Sequence, residues 1–142
     1  MERAIKVSLK FATTAKLRRL NALRRETRSC TQAYIASLWT TPGALDAATL
    51  NRVSGGSLSY RHRSNCLKVG LETITATKKA AKVTGRKASR PAVHGAIRLS
   101  SLVANVEKGR GSFDYVLKNI RVGQRRTYRD PIQGTCPTRT LA

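Results

Sequence analysis

The feature that most constrains the fold of this chain is a stripe of apolar and small side chains, spaced three and four residues apart over residues 15–39. Such spacing returns to one side of an α-helix, because the helix turns by about 100° per residue. Thr13 or Thr14 precedes the stripe and suits a helix N-cap. The stripe therefore predicts one long amphipathic helix. Its members are Leu17, Leu20, Leu23, Thr27, Cys30, Tyr34 and Leu38.

A second long helix is predicted over residues 58–82, after a break at Pro42 and a joint at 54–57. Pro42 disfavours helix at the residue before it, and residues 44–50 suit one or two helical turns. The apolar side of the second helix carries Leu67, Leu71 and Ile74. Residues 78–91 hold few apolar side chains, which is typical of an exposed basic linker.

Strand patterns lie at both ends of the chain. Residues 4–11 alternate apolar and polar side chains, and two strand-like runs flank the turn at 107–111. These patterns predict an α+β fold in two parts. A β module comprises residues 1–13 and 92–142, and a helical lobe comprises residues 14–91.

The charge balance favours a polyanionic partner. The chain carries 28 Lys and Arg against 7 Asp and Glu, a formal net charge of +21. Arginine predominates among the basic residues, and its planar guanidinium matches phosphate oxygens. Nucleic acid is the leading partner class, ahead of an anionic membrane surface. No apolar run is long enough to span a bilayer, although the Arg-rich first 29 residues loosely resemble a mitochondrial presequence.

Catalytic and metal-binding patterns are weak. His62 and Cys66 form the only His/Cys pair at helical spacing, and a buried core cysteine explains it better than a zinc ligand. The three cysteines are widely spaced, which is typical of reduced thiols in the cytosol. The seven acidic residues lie on different predicted elements, so no carboxylate group suited to divalent metal is expected. We predict no enzymatic activity and no cofactor.

Three basic surfaces remain as candidate binding sites. They are the polar side of the first helix, a row on the second helix, and the hairpin near the C-terminus. Tyr60, Tyr115 and Tyr128 lie among these charges and suit either packing or base stacking. The candidate nucleic-acid-binding residues are Arg18, Arg25, Arg28, Arg61, Lys68, Lys79, Lys118, Arg121, Arg125, Arg126 and Arg129.

The order of these features resembles the N-terminal half of the transposon-encoded TnpB nucleases and the related type V CRISPR effectors. The opening strand "IKVSLKF" precedes "LRRLNALRRETRSCTQAYIASLW", then "LSYRHRSNCLKVGLETITATKKAAK" and a closing strand pair. The family has a phenylalanine-containing strand, a basic turn after glycine, and a strand that begins with proline. The matching positions are Phe113, Gly123, Arg125, Arg126, Pro131 and Ile132.

The resemblance implies a barrel-like wedge domain interrupted by a helical recognition lobe. It also implies a prokaryotic, cytoplasmic protein whose partners are guide RNA and target DNA. The sequence does not include the RuvC-like half that carries the family's catalytic carboxylates. We therefore expect a fragment, the product of a truncated gene, or a subunit that works with a separate nuclease partner, and cleavage and Mg²⁺ binding only where that half is present. A second copy of the chain is another possible partner. In such systems the protein contacts the backbone while base pairing reads the sequence.

Two other function classes fit the composition. A ribosomal or ribonucleoprotein structural protein is also small, basic and α+β. A DNA-binding regulator derived from a transposase is the third interpretation, and it would bind duplex DNA specifically without RNA.

Overall fold

The computed structural model describes residues 12–54, 56–99, 104–108, 115–119 and 128–129. Within these residues the chain forms three helices followed by three short strands. The helices are α1 (Thr14–Thr40), α2 (Ala47–Leu50) and α3 (Tyr60–Thr84), and the strands are β1 (Ala104–Lys108), β2 (Tyr115–Asn119) and β3 (Tyr128–Arg129).

Both predicted long helices are confirmed, and each begins at a hydroxyl cap. Thr13 Oγ1 accepts a hydrogen bond from the backbone N–H of Lys16 at 3.4 Å. Ser59 Oγ accepts from the backbone N–H of His62 at 3.0 Å. These bonds satisfy N–H groups that have no partner inside the helix. α3 ends at Gly85, whose φ of 66° is a left-handed conformation that glycine adopts without strain.

α1 and α3 run in the same direction where they pack together. Thr27 contacts His62, a Cβ on Gly70 would lie 3.6 Å from Ile35, and Lys78 lies over the Trp39 ring. Later residues of α1 therefore meet later residues of α3. Parallel packing requires the chain to return along the helix pair before α3 begins, and residues 41–59 make that return.

The returning segment is fixed to α1 through α2. Asp46 caps α2 by accepting a hydrogen bond from the Thr49 N–H at 2.7 Å. The Tyr34 hydroxyl of α1 donates to the carbonyl oxygen of Leu50 at 2.8 Å. Gly43 lies so close to the buried Thr49 side chain that a Cβ at residue 43 would be 2.7 Å from Thr49 Oγ1. This position therefore requires glycine.

The core lies between the C-terminal half of α1, α2 and the first four turns of α3. It is small for the length of the helices, because the buried residues of α1 begin only at Thr27. The predicted stripe leucines at 17, 20 and 23 are only half-buried. The apolar core residues are Cys30, Tyr34, Ile35, Leu38, Leu50, Cys66, Leu67 and Ile74.

Residues 91–98 cross from α1 to α3 without regular secondary structure and bend at Gly95, and we call this segment the strap. At α1, Gln32 bonds both the carbonyl oxygen of Pro91 and the N–H of Val93. At α3, Asn65 Nδ2 donates to the carbonyl oxygen of Arg98 at 2.9 Å. The predicted basic linker at 78–91 is therefore divided, since residues 78–84 continue α3 and Pro91 belongs to the strap.

The predicted fold class, α+β with a barrel-like wedge, is wrong, because the described chain is mostly helical. The predicted hairpin is present, with β1 and β2 pairing antiparallel over five residues each. β3 adds two residues in the order β1-β2-β3, which leaves two open edges among the described strands. Alternating patterns predict local pairing, whereas a barrel also requires the first and last strands to meet. The predicted strand at 4–11 lies outside the described residues.

Candidate nucleic-acid interface

Three of the predicted basic residues lie along one side of α3, and we call them the α3 basic row. Arg61, Lys68 and Lys79 are all exposed. Their separations of seven and eleven residues are close to two and three whole helical turns, so they share one side of the helix. At about 1.5 Å per residue the row is about 27 Å long. It forms a straight line of positive charge.

The α3 basic row faces away from α1. Cys66 and Gly70 are buried against α1, and Lys68 lies two residues from each. Two residues turn the helix by about 200°, which places the row on the side opposite the core. The core therefore neither covers nor neutralises these charges.

Further exposed basic residues continue the positive charge beyond the row. Lys82 lies in the last turn of α3, and residues 86–90 have no regular secondary structure. Of these, Arg86, Lys87 and Arg90 are exposed. We call residues 85–90 the basic segment. Together the row, Lys82 and the segment provide seven exposed cations.

The described carboxylates interact elsewhere. Glu72 forms an ion pair with Arg98, with 3.4 Å between Glu72 Oε2 and Arg98 Nη1. Glu26 accepts a hydrogen bond from Ser57 at 2.5 Å. Asp46 caps α2 by accepting a hydrogen bond from the backbone N–H of Thr49, and this bond lowers the pKa of the Asp46 carboxyl. Glu26 and Asp46 lie outside α3. Glu72 follows Lys68 by four residues on the same side of α3, and its carboxylate pairs with Arg98 rather than with a member of the α3 basic row.

Arg18 and Arg25 are exposed, but they lie on the other side of the helix pair. Thr27 contacts α3, and Arg25 and Arg18 precede it by two and nine residues. These separations place both arginines about half a turn away from Thr27, facing away from α3. The predicted residues on α1 and α3 therefore form two separate surfaces. Within the described residues they do not line one common channel.

Arg28 has a structural role. Its side chain is half-buried, and Nη2 donates to the carbonyl oxygen of Val93 in the strap at 3.0 Å. A charged donor bonded to a backbone carbonyl is among the stronger hydrogen bonds in proteins. The side chain is thereby committed to holding the strap on α1.

The hairpin residues are only partly within the described structure. Lys118 of β2 and Arg129 of β3 are direct register partners, so two basic positions face each other across the strand pair. Arg121, Arg125 and Arg126 lie outside the described residues. Tyr60, one of the tyrosines predicted to stack, is 60 % exposed at the start of α3.

Sequence reasoning missed the buried polar contact between the long helices. The Thr27 hydroxyl donates to the carbonyl oxygen of Leu23 at 2.7 Å and lies 2.8 Å from His62 Nε2. Because that hydroxyl has donated its proton, His62 Nε2 carries the hydrogen in this contact. Burial lowers the pKa of His62, which favours the neutral ring. The available signal was the pair of His62 and Cys66, which lie four residues apart and therefore share one side of the helix.

No family model, curated protein or solved structure matches this chain. Among the described helices, none has the length and apolar character needed to cross a membrane.

Proposed function

We propose that this chain binds nucleic acid through the α3 basic row and the adjoining basic segment, as the non-catalytic part of an RNA-guided system of the TnpB or type V kind. The ligand class is an RNA-containing duplex, either guide RNA or a guide–target heteroduplex. The order of the two long helices and the hairpin supports the family assignment. The exposed, unneutralised cations of the α3 basic row support the binding mode.

The observation that carries the proposal is the separation of charge from core along α3. Arg61, Lys68 and Lys79 are exposed and have no acidic partner among the described residues. Nothing in the described packing requires them. A polyanion that binds them would release its own condensed counterions, which favours the complex. Backbone contacts of this kind carry little sequence information, which suits a protein whose target is read by base pairing.

The proposed role does not include catalysis. Two-metal nucleases bring several carboxylates to one point. Here Glu26 lies on α1, Asp46 precedes α2, Glu72 is on α3 and Glu107 is on β1. No group of three potential metal ligands occurs among the described residues. In the proposed role, cleavage is assigned to a RuvC-like part of the system.

The test is a salt titration of binding to an RNA–DNA heteroduplex of about 20 base pairs. With about 6–10 phosphates neutralised, the log–log slope of affinity against salt should lie near −5 to −9. The triple change Arg61→Gln, Lys68→Gln and Lys79→Gln should make the slope shallower by about 2.7, because each lost phosphate contact removes about 0.9. Filter binding at several salt concentrations measures both quantities.

The matched control removes three exposed charges from α1 by Arg18→Gln, Arg24→Gln and Arg25→Gln. This control has the same net charge as the first variant but keeps the α3 basic row, so the slope should stay near the wild-type value. A wild-type slope near zero would contradict backbone binding altogether. Equal changes in the two variants would contradict binding through the α3 basic row in particular. Tighter, sequence-specific binding to a DNA duplex of the same length would favour a transposase-derived regulator.

A further inference from the structure

Two cysteine thiols meet inside the interface between α1 and α3. Cys30 is 5 % exposed and Cys66 is 1 % exposed, and both belong to the core. Both are free thiols. The packing that sets Thr27 against His62 and Ile35 against Gly70 also sets residue 30 beside residue 66. Cys66 Sγ also lies 3.8 Å from the carbonyl oxygen of Thr27, one helical turn before Cys30. The packing therefore brings the two cysteines together between the helices.

A cleft reaches one member of this pair. It has a volume of about 440 Å³ and lies between α1, α3 and the strap. Cys66, Thr27 and Thr31 form part of its wall, and Cys30 does not line it. A small polar molecule in the cleft would meet hydroxyl groups and the Cys66 side chain first. The geometry therefore makes the two thiols unequal.

The electrostatics of the pair point in the same direction. The hydrogen bond from Cys30 lowers the pKa of Cys66, and a hydrogen bond from Thr31 adds to this effect. The same thiol–thiol bond raises the pKa of Cys30, and burial raises it further. Only a thiolate is a good nucleophile, so Cys66 is the more reactive member.

We propose that Cys66 is a site of oxidation by peroxide and that Cys30 resolves the product to a disulfide across α1 and α3. The Cys66 thiolate attacks one peroxide oxygen, the O–O bond breaks, and hydroxide leaves as the sulfur becomes a sulfenic acid. The Cys30 sulfur then attacks the Cys66 sulfur. A sulfur–sulfur bond forms, the S–OH bond breaks, and the hydroxide takes the Cys30 proton to leave as water.

The disulfide would join two helices whose contact otherwise depends on a small core. It would close the chain between residues 30 and 66, which includes α2 and the returning segment. Such a link stabilises a fold chiefly by restricting the unfolded chain. Peroxide would thus convert α1 and α3 into one cross-linked unit, and a thiol reductant would reverse the change.

The experiment uses the full chain with Cys136→Ser, which leaves only Cys30 and Cys66 as thiols. The folded protein is treated with hydrogen peroxide, and remaining thiols are counted with a maleimide after denaturation. The expected result is the loss of both thiols, an intact mass lower by two hydrogens, and a Cys30–Cys66 peptide in a non-reducing digest. Dithiothreitol should restore both thiols.

Two further variants, each made with Cys136→Ser, assign the roles. With Cys30→Ser, dimedone should trap a sulfenic acid on Cys66. With Cys66→Ser, the Cys30 thiol should remain free. Should either variant fail to fold by circular dichroism, dimedone trapping during a time course on the Cys136→Ser protein replaces it. Persistence of both thiols in folded protein, or first labelling at Cys30, would overturn the proposal.

Discussion

The two sides of α3 differ in almost every physical property although they alternate along one helix. The inner side carries the buried residues His62, Cys66, Leu67, Gly70 and Ile74. The outer side carries Arg61, Lys68 and Lys79, all exposed. The inner side holds α3 against α1 and the returning segment, while the outer side contributes positive charge and no packing. Stability and ligand binding therefore depend on different residues of the same helix.

This separation explains how so basic a chain can fold. Charges on the outer side interact mainly through water, where the energy of each pair is small. The inner side removes apolar surface from water, which is the main favourable contribution to folding. Thr27 Oγ1 and His62 Nε2 bond to each other, so the inner side includes polar groups without leaving these two atoms unsatisfied.

The largest expected effect on stability is at Leu67, which is fully buried. Leu67→Ala should lower the free energy of unfolding by about 2–5 kcal/mol, because it removes apolar contacts and leaves a cavity. Urea denaturation followed by circular dichroism measures the change. The control is the next residue, exposed Lys68, where Lys68→Ala should change stability by no more than about 0.5 kcal/mol. Similar losses in the two variants would contradict the division between inner and outer sides.

A smaller effect is expected from the titration of His62. Burial lowers the pKa of His62 below its ordinary value of 6.5, so the unfolded chain binds a proton that the folded chain does not. This contribution to stability is complete above the ordinary pKa and declines as pH falls below it, until the folded histidine also titrates. Urea denaturation at about pH 7.5 and about pH 5.5 measures the decline.

The control for this titration is His62→Gln, which keeps a hydrogen-bond donor near Thr27 while removing the titrating group. His94 is exposed and remains in both proteins. The dependence of stability on pH should be weaker in the variant over that interval. An unchanged dependence would show that other groups cause it.

The smallest expected effect is at Gly70, where α3 passes closest to Tyr34 and Ile35. A Cβ on Gly70 would lie 3.6 Å from atoms of both residues, an ordinary van der Waals distance. Gly70→Ala should therefore be accommodated and should gain up to about 1 kcal/mol from the higher helix propensity of alanine. Thermal or urea denaturation measures the gain. A clear loss of stability would mean that the helices require glycine at this crossing.

Much of the helical structure could be predicted, because it depends on local periodicity and on capping residues. Thr13 marked the start of α1, and the alternation around residues 104–119 predicted the β1–β2 hairpin. Arg28 was predicted to bind nucleic acid, but it donates a hydrogen bond to Val93. That bond could not be predicted from local pattern, because Val93 is 65 residues away in the chain. The predicted common channel also depended on how α1 and α3 face each other, and periodicity within one helix contains no such information.

The sequence by itself determined the net charge, the two amphipathic helices and the residues on each polar side. These properties follow from composition and from the fixed turn of the helix. Only the tertiary structure decided that α1 and α3 pack in parallel, that the strap lies across them, and that their basic surfaces face opposite directions. The physical reason is that helix orientation is set by contacts between residues far apart in the chain, such as Thr27 with His62 and Tyr34 with Leu50.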